Sequence, residues 1–122
     1  MTWSLASHPH GFGVLREDGT LLAPPDLKRW ATVMELLEDW PAAEAVLRDL
    51  TAEDLDTAPV VDYDTLLPPL QWPRKVICAG VNYRQHIREM GGEIPAEGWR
   101  PFFFLKAPTT TIVGPQDPIV VR

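Results

Sequence analysis

The sequence predicts an α+β chain in two parts: a small domain of hairpin plus helices over residues 1–66, then the first strands and one helix of a mixed-β domain over residues 67–122. Three observations predict it. Asp18-Gly19 stands between two short apolar runs, Phe12-Gly-Val-Leu15 and Leu21-Leu22. From Leu27 the apolar period changes to three and four. Beyond a proline-rich break, the continuous apolar runs Val76-Ile-Cys-Ala-Gly-Val81 and Phe102-Phe-Phe-Leu105 read as strands.

Each element has a local cause. Asp-Gly suits a two-residue type I′ turn, which needs positive φ at both central positions, so the first 25 residues read as a hairpin. Leu27, Trp30, Met34 and Leu37 recur at helical spacing and would line one face. Thr32 and Glu35 have the spacing of a capping box, which would start that helix later. Pro41 fits the first turn of a second short helix reaching about Leu50, because its missing N–H has no intrahelical partner there. Thr51-Ala-Glu-Asp54 starts another turn. Pro68, Pro69 and Pro73 exclude a regular helix between residues 66 and 73 and mark the domain boundary. Val76-Ile-Cys-Ala-Gly-Val81 reads as a strand covered on both faces. Asn82 can cap a helix to about Met90, and Gly91-Gly92 supplies its stop. Phe102-Phe-Phe-Leu-Lys106 is a second strand, residues 109–113 a third, and Gly114-Pro-Gln-Asp-Pro118 a turn into Ile119-Val-Val121. That last apolar strand reaches the final residue with nothing after it to pair with, the pattern of a chain that stops before its sheet is complete.

Composition bounds the function. The chain has 122 residues, 45% hydrophobic and 23% charged, the balance of a folded globular protein. No apolar run approaches the roughly 20 residues that span a bilayer, and the N-terminus lacks a basic region followed by an apolar one. A membrane partner is not expected, and the cytoplasm is the expected compartment. One cysteine, Cys78, excludes an internal disulfide and reads as a small core residue rather than a nucleophile. Residues 1–70 hold thirteen acids and four bases, net −9; residues 71–122 hold four acids and seven bases, net +3, together the −6 of the whole chain. The second part is too weakly basic for nucleic acid, and a small carboxylate ligand suits it better.

The residues that carry chemistry lie in that part. In Asn82-Tyr-Arg-Gln-His-Ile-Arg-Glu89, His86 and Glu89 stand three apart on one helical face. A carboxylate that accepts from one imidazole nitrogen fixes the tautomer and leaves the other nitrogen as a base. By spacing alone, the same pair is an ordinary solvated helix face. Lys106 closes the aromatic strand and would stabilise an anion if partly buried, or else lay its stem on the aromatics with its head in water. His8-Pro-His10 offers a metal no third ligand and reads as an exposed loop. No HExxH, CxxC or phosphate-cradling glycine loop is present.

Residues 67–90, Leu-Pro-Pro-Leu-Gln-Trp-Pro-Arg-Lys-Val-Ile-Cys-Ala-Gly-Val-Asn-Tyr-Arg-Gln-His-Ile-Arg-Glu-Met, resemble the opening of the catalytic domain of fumarylacetoacetate hydrolase family proteins. Phe103-Phe-Leu-Lys106, Pro108-Thr-Thr and Ile112-Val-Gly-Pro-Gln-Asp-Pro-Ile-Val120 resemble the next family blocks in the same order. Residues 1–65 resemble the family's variable N-terminal domain only loosely. The resemblance implies a metal-dependent enzyme in which Mg²⁺, or Mn²⁺ or Ca²⁺, chelates a small 2-oxo or enolic acid while the His-Glu pair sits on a lid helix. It assigns His86 as general base, Glu89 as its orienting partner and Lys106 as electrostatic stabiliser, with Arg84 and Arg88 as candidates for holding substrate. C–C bond hydrolysis, decarboxylation and isomerisation of oxo acids, including steps of aromatic compound catabolism, all pass through enolate-like charge that a hard cation stabilises. The family's Glu-x-Glu pair and later aspartate find no counterpart here, so the ligands are expected outside this chain, and Asp117 belongs to a turn. A homodimer, or pairing with a complementary catalytic chain, is expected of the parent protein. The competing reading is a catalytically inactive binding or assembly module that completes another chain's sheet by strand addition.

Overall fold

The computed structural model describes residues 2–94 and 98–120. The chain divides into two compact units, residues 1–72 with 112–122, and residues 73–111.

The first unit is built on a three-stranded antiparallel sheet: β1 (Trp3–His8), β2 (Gly11–Arg16) and β3 (Leu21–Leu22), in that order. The hairpin at Asp18-Gly19 is present, pairing Val14 with Leu22 and Leu15 with Leu21. Its turn differs from the two-residue type. Gly19 N–H donates to Arg16 O at 3.1 Å and Arg16 N–H to Thr20 O at 2.9 Å. Gly19 alone takes positive φ, at 85°, so this is a three-residue loop closed by a glycine bulge. The Asp18 side chain accepts from Thr20 N–H at 2.8 Å instead of entering the left-handed region.

His8-Pro-His10 is not wholly the exposed loop expected of it. Trp3–His8 pairs with β2 across a tight turn at Pro9-His10, and His8 is buried rather than in an exposed loop. Gly13 allows the close approach of β3: a Cβ there would meet Leu22 O at 2.3 Å.

The helices follow their caps more closely than their apolar period. Pro25–Leu27 forms a single 3-10 turn, and α1 spans Val33–Glu38, with Thr32 Oγ1 accepting from Glu35 N–H at 3.1 Å. The Glu35 carboxylate accepts from Ala31 N–H at 2.7 Å, one residue before the position a full capping box would use. Because the helix begins at Val33, its buried face is Val33 and Leu36, and Leu37 is exposed. α2 (Trp40–Asp49) carries Pro41 in its first turn as expected. α3 (Ala52–Thr57) has a complete capping box, with Thr51 and Asp54 bonding reciprocally. Val14, Leu22, Leu27, Trp30, Leu36, Ala43, Leu55 and Ala58 form the core between sheet and helices. The proline-rich segment is irregular, as expected, and is tied back to β1 by Leu67 N–H donating to Ser7 O at 2.8 Å.

The second unit contains β4 (Val76–Gly80), α4 (Arg84–Glu89) and β5 (Phe102–Lys106), with β4 and β5 antiparallel. β4 is not covered on both faces. Its burial alternates between half-buried and exposed, and every residue of β5 is exposed, because the ribbon has two strands and no layer on it among the described residues. The third strand expected over 109–113 is a turn instead, with Thr110 N–H and Thr111 Oγ1 both donating to Ala107 O. The turn at residues 114–118 is present, closed by Asp117 N–H donating to Gly114 O at 3.1 Å. Ile119 and Val120 form no strand, having no partner strand among the described residues, and Val121 lies outside those residues.

Candidate active site

The candidate residues concentrate on α4, a helix of six residues anchored by the single buried side chain Ile87. Its stop is the expected one: Gly91 has φ 74°, and Gly92 N–H donates to Ile87 O at 2.9 Å. Its start differs. The N-cap is Tyr83, with no side-chain capping bond, so Asn82 lies one residue too early to cap. Val81, between β4 and α4, takes φ 54°, a conformation that β-branched residues rarely adopt. A strained residue there sets the direction in which the helix leaves the strand.

On the helix, His86 Nδ1 lies 3.7 Å from Glu89 Oε2, with side chains 57% and 61% exposed. That separation is ion-pair contact, too long for a hydrogen bond. The Glu89 carboxylate is instead tethered by Gln85, whose Nε2 donates to Oε1 at 3.2 Å. Nδ1 is therefore the ring nitrogen that faces the carboxylate.

A shallow depression of about 390 Å³ is lined by Tyr83, Arg84, Gln85, His86 and Glu89. The structure thus brings Arg84 together with His86 and Glu89. Arg88 is exposed and does not line the depression.

Lys106 is not gathered with them. It pairs with Val76 at one end of the ribbon, whereas Gly80, which leads towards α4, pairs with Phe102 at the other. Four residue steps separate the two ends, about 14 Å at the usual rise of a strand. Lys106 is exposed and makes no hydrogen bond or ion pair among the described residues.

Among the described residues no three His, Cys, Asp or Glu side chains converge as a metal requires. Asp117 is engaged in its own turn, its Oδ2 accepting from Gly114 N–H at 2.7 Å. The residues described here do not fit a divalent cation. What α4 can do unaided is attract a small anion through Arg84 and offer an imidazole base beside it.

Sequence reasoning passed over Gln85, the partner that actually holds the carboxylate. Its four-residue spacing to Glu89 was the available signal. The left-handed Val81 had none, since nothing in a run of apolar residues announces positive φ.

His86 and Glu89 thus share the exposed face of a helix directly behind β4. The family described as fumarylacetoacetate (FAA) hydrolase C-terminal matches residues 75–122, so over that span the chain is similar to fumarylacetoacetate hydrolase family proteins. The human mitochondrial oxaloacetate tautomerase FAHD2B is 37% identical over 90 residues, covering 74% of this chain and 27% of its own. Protein Rv2993c of Mycobacterium tuberculosis is 49% identical over 61 residues, covering 50% of this chain and 21% of its own. The mitochondrial oxaloacetate decarboxylase of Dictyostelium discoideum is 44% identical over 48 residues, covering 39% and 21%. The chain thus spans about a quarter of the length of the curated relatives it matches. No solved structure matches it. No helix among the described residues is long and apolar enough to cross a membrane.

Proposed function

We propose that this chain supplies the N-terminal part and the base-bearing helix of an enzyme that acts on small 2-oxo acids through their enol or enolate forms. The observation that carries this reading is the family match over residues 75–122, which contains α4 whole. Two relatives named for oxaloacetate chemistry direct it to a substrate class, a short acid with a ketone next to a carboxylate.

In such an acid the carbon beside the ketone is acidic, and its proton is the one that tautomerisation or decarboxylation chemistry must manage. His86 Nε2 takes that proton, Glu89, 3.7 Å from Nδ1, balances the imidazolium, and the imidazolium returns the proton to the enolate oxygen. Arg84 holds a carboxylate of the substrate, with Arg88 a second candidate. Lys106 stabilises the enolate oxygen once further residues bring its end of the ribbon to the substrate. The divalent cation, with Mg²⁺ the first choice and Mn²⁺ or Ca²⁺ the alternatives, is held by residues other than those described here.

The 122 residues alone are therefore expected to turn over negligibly. The working enzyme is the full reading frame as a homodimer, or this chain paired with a complementary catalytic chain. The same reading places it in the cytoplasm, against which the mitochondrial names of two relatives set a clear alternative for a tagged protein to decide. The experiment that tests the function follows oxaloacetate enol–keto conversion and decarboxylation by the product of the full reading frame, with Mg²⁺ or with EDTA. The reading requires metal-dependent turnover above the solution rate. Equal rates with Mg²⁺, with EDTA and without protein would remove it.

One observation favours a second reading. Ile77, Phe103 and Leu105 are 62%, 69% and 71% exposed on a two-stranded ribbon, an apolar surface suited to completing another chain's sheet. An inactive assembly module would bind a ligand-bearing partner without raising that partner's turnover.

A further inference from the structure

The N-terminal unit contains a cavity of about 340 Å³ with His8, Phe12, Pro24, Leu27, Lys28 and Trp30 in its lining. His8 ends β1 and is only 8% exposed. Its Nδ1 accepts from the His10 backbone N–H at 3.4 Å. A neutral imidazole that accepts at one nitrogen carries its proton on the other. Burial, then the neighbouring His10, lower the His8 pKa, which keeps the ring neutral at pH 7. The resulting Nε2–H has no acceptor among the described residues. A Cβ on Gly11 would come within 3.9 Å of that nitrogen, so the glycine leaves the space beside it open.

The other walls are fixed and mostly apolar. Trp30 is held by its Nε1–H donating to Asp39 Oδ2 at 3.1 Å, and the Arg29 guanidinium lies 4.6 Å from the ring centroid. Phe12, Pro24 and Leu27 contribute apolar atoms to the same lining. Lys28 is exposed and forms no ion pair among the described residues. One imidazole N–H open to the cavity, one cation beside it and an apolar floor suit a small anion with an apolar body.

We propose that this cavity binds a small organic acid with an aromatic body, its carboxylate accepting from His8 Nε2–H and paired with the Lys28 ammonium. The site shares no residue with α4 and requires no metal, so it stands or falls separately from the catalytic reading. The acidic balance of residues 1–70 opposes anions at long range, which sets the expected dissociation constant at roughly 0.1–1 mM.

The test uses the whole chain in EDTA and follows the His8 ring and Trp30 indole N–H resonances during titration with 3-phenylpropionate, 3-phenylpropionamide and acetate. Saturable shifts are expected with the aromatic acid, and binding at least about tenfold weaker with the neutral amide and with acetate. Lys28→Ala, an exposed substitution that leaves the fold intact, is expected to weaken the acid about fivefold and leave the amide unchanged. His8→Phe should abolish acid binding, and Lys28→Ala carries the test should that variant fail to fold. Absence of saturable shifts at about 10 mM acid, equal binding of acid and amide, or no effect of Lys28→Ala overturns the proposal.

Discussion

His8 shows how one side chain changes meaning between sequence and structure. In His8-Pro-His10 it reads as an exposed residue, yet the strand before it is buried against β2 and carries it inside. The cause is tertiary. Residues 3–8 acquire their strand from the partner at 11–16, and no local motif encodes that pairing. The lowered pKa has a signed consequence. The unfolded chain binds a proton at His8 near pH 6.5 and the folded chain resists it, so this contribution is present above 6.5 and is lost as pH falls below it. Asp18 and Asp54 are lowered by hydrogen bonds from Thr20 and Thr51 respectively, and their contributions fade only below the carboxylate range, under pH 3.8. Thermal unfolding followed from pH 7.5 downward should therefore weaken in two stages, with the first absent in His8→Gln. A single stage confined to the carboxylate range would contradict the burial of His8. Gly13 offers a second test. With Leu22 O only 2.3 Å from an added Cβ, and that oxygen fixed in the backbone, Gly13→Ala must part β2 from β3. A loss of about 2 kcal/mol in denaturant unfolding is expected from such overpacking, and an unchanged midpoint would mean the strands lie further apart.

Among the elements, the caps were the most legible signals. Thr32 and Thr51 both cap the helices whose starts their spacing predicts, because a capping bond involves residues only three apart. Apolar periodicity misled where it was read across the 3-10 turn: Met34 and Leu37 match the spacing from Leu27, but a helix restarting at Val33 rotates Val33 and Leu36 inward. The strands expected at 109–113 and 119–121 failed for a different reason. A strand needs a neighbour to satisfy its backbone, and among the described residues β4 and β5 have none beyond each other. The capping box gives a clean measurement. Thr51→Ala removes the acceptor for Asp54 N–H and should cost about 1 kcal/mol of stability. The change is confined to an exposed helix start, so the near-neighbour variant Thr51→Ser should restore most of the loss. Failure of serine to rescue would point away from the cap.

At the scale of the whole molecule, the two halves are unequal. Residues 1–72 close a core with Val14 and Leu36 fully buried, while the strand of the family segment richest in aromatics is wholly exposed. That His86 and Glu89 lie near each other on α4 was legible because helical spacing fixes which side chains share a face. The separation of Lys106 from it was not, since the register that pairs Lys106 with Val76 depends on strand pairing over thirty residues. The central claim is that His86 is the base of an enzyme on 2-oxo acids. It is tested most directly by kcat/KM for oxaloacetate enol–keto conversion, measured with Mg²⁺ on the product of the full reading frame and on its His86→Gln variant. General-base catalysis predicts a fall of about 100-fold or more, carried by kcat with little change in KM. A variant within about threefold of the parent would contradict the account, because removing a true base cannot cost so little.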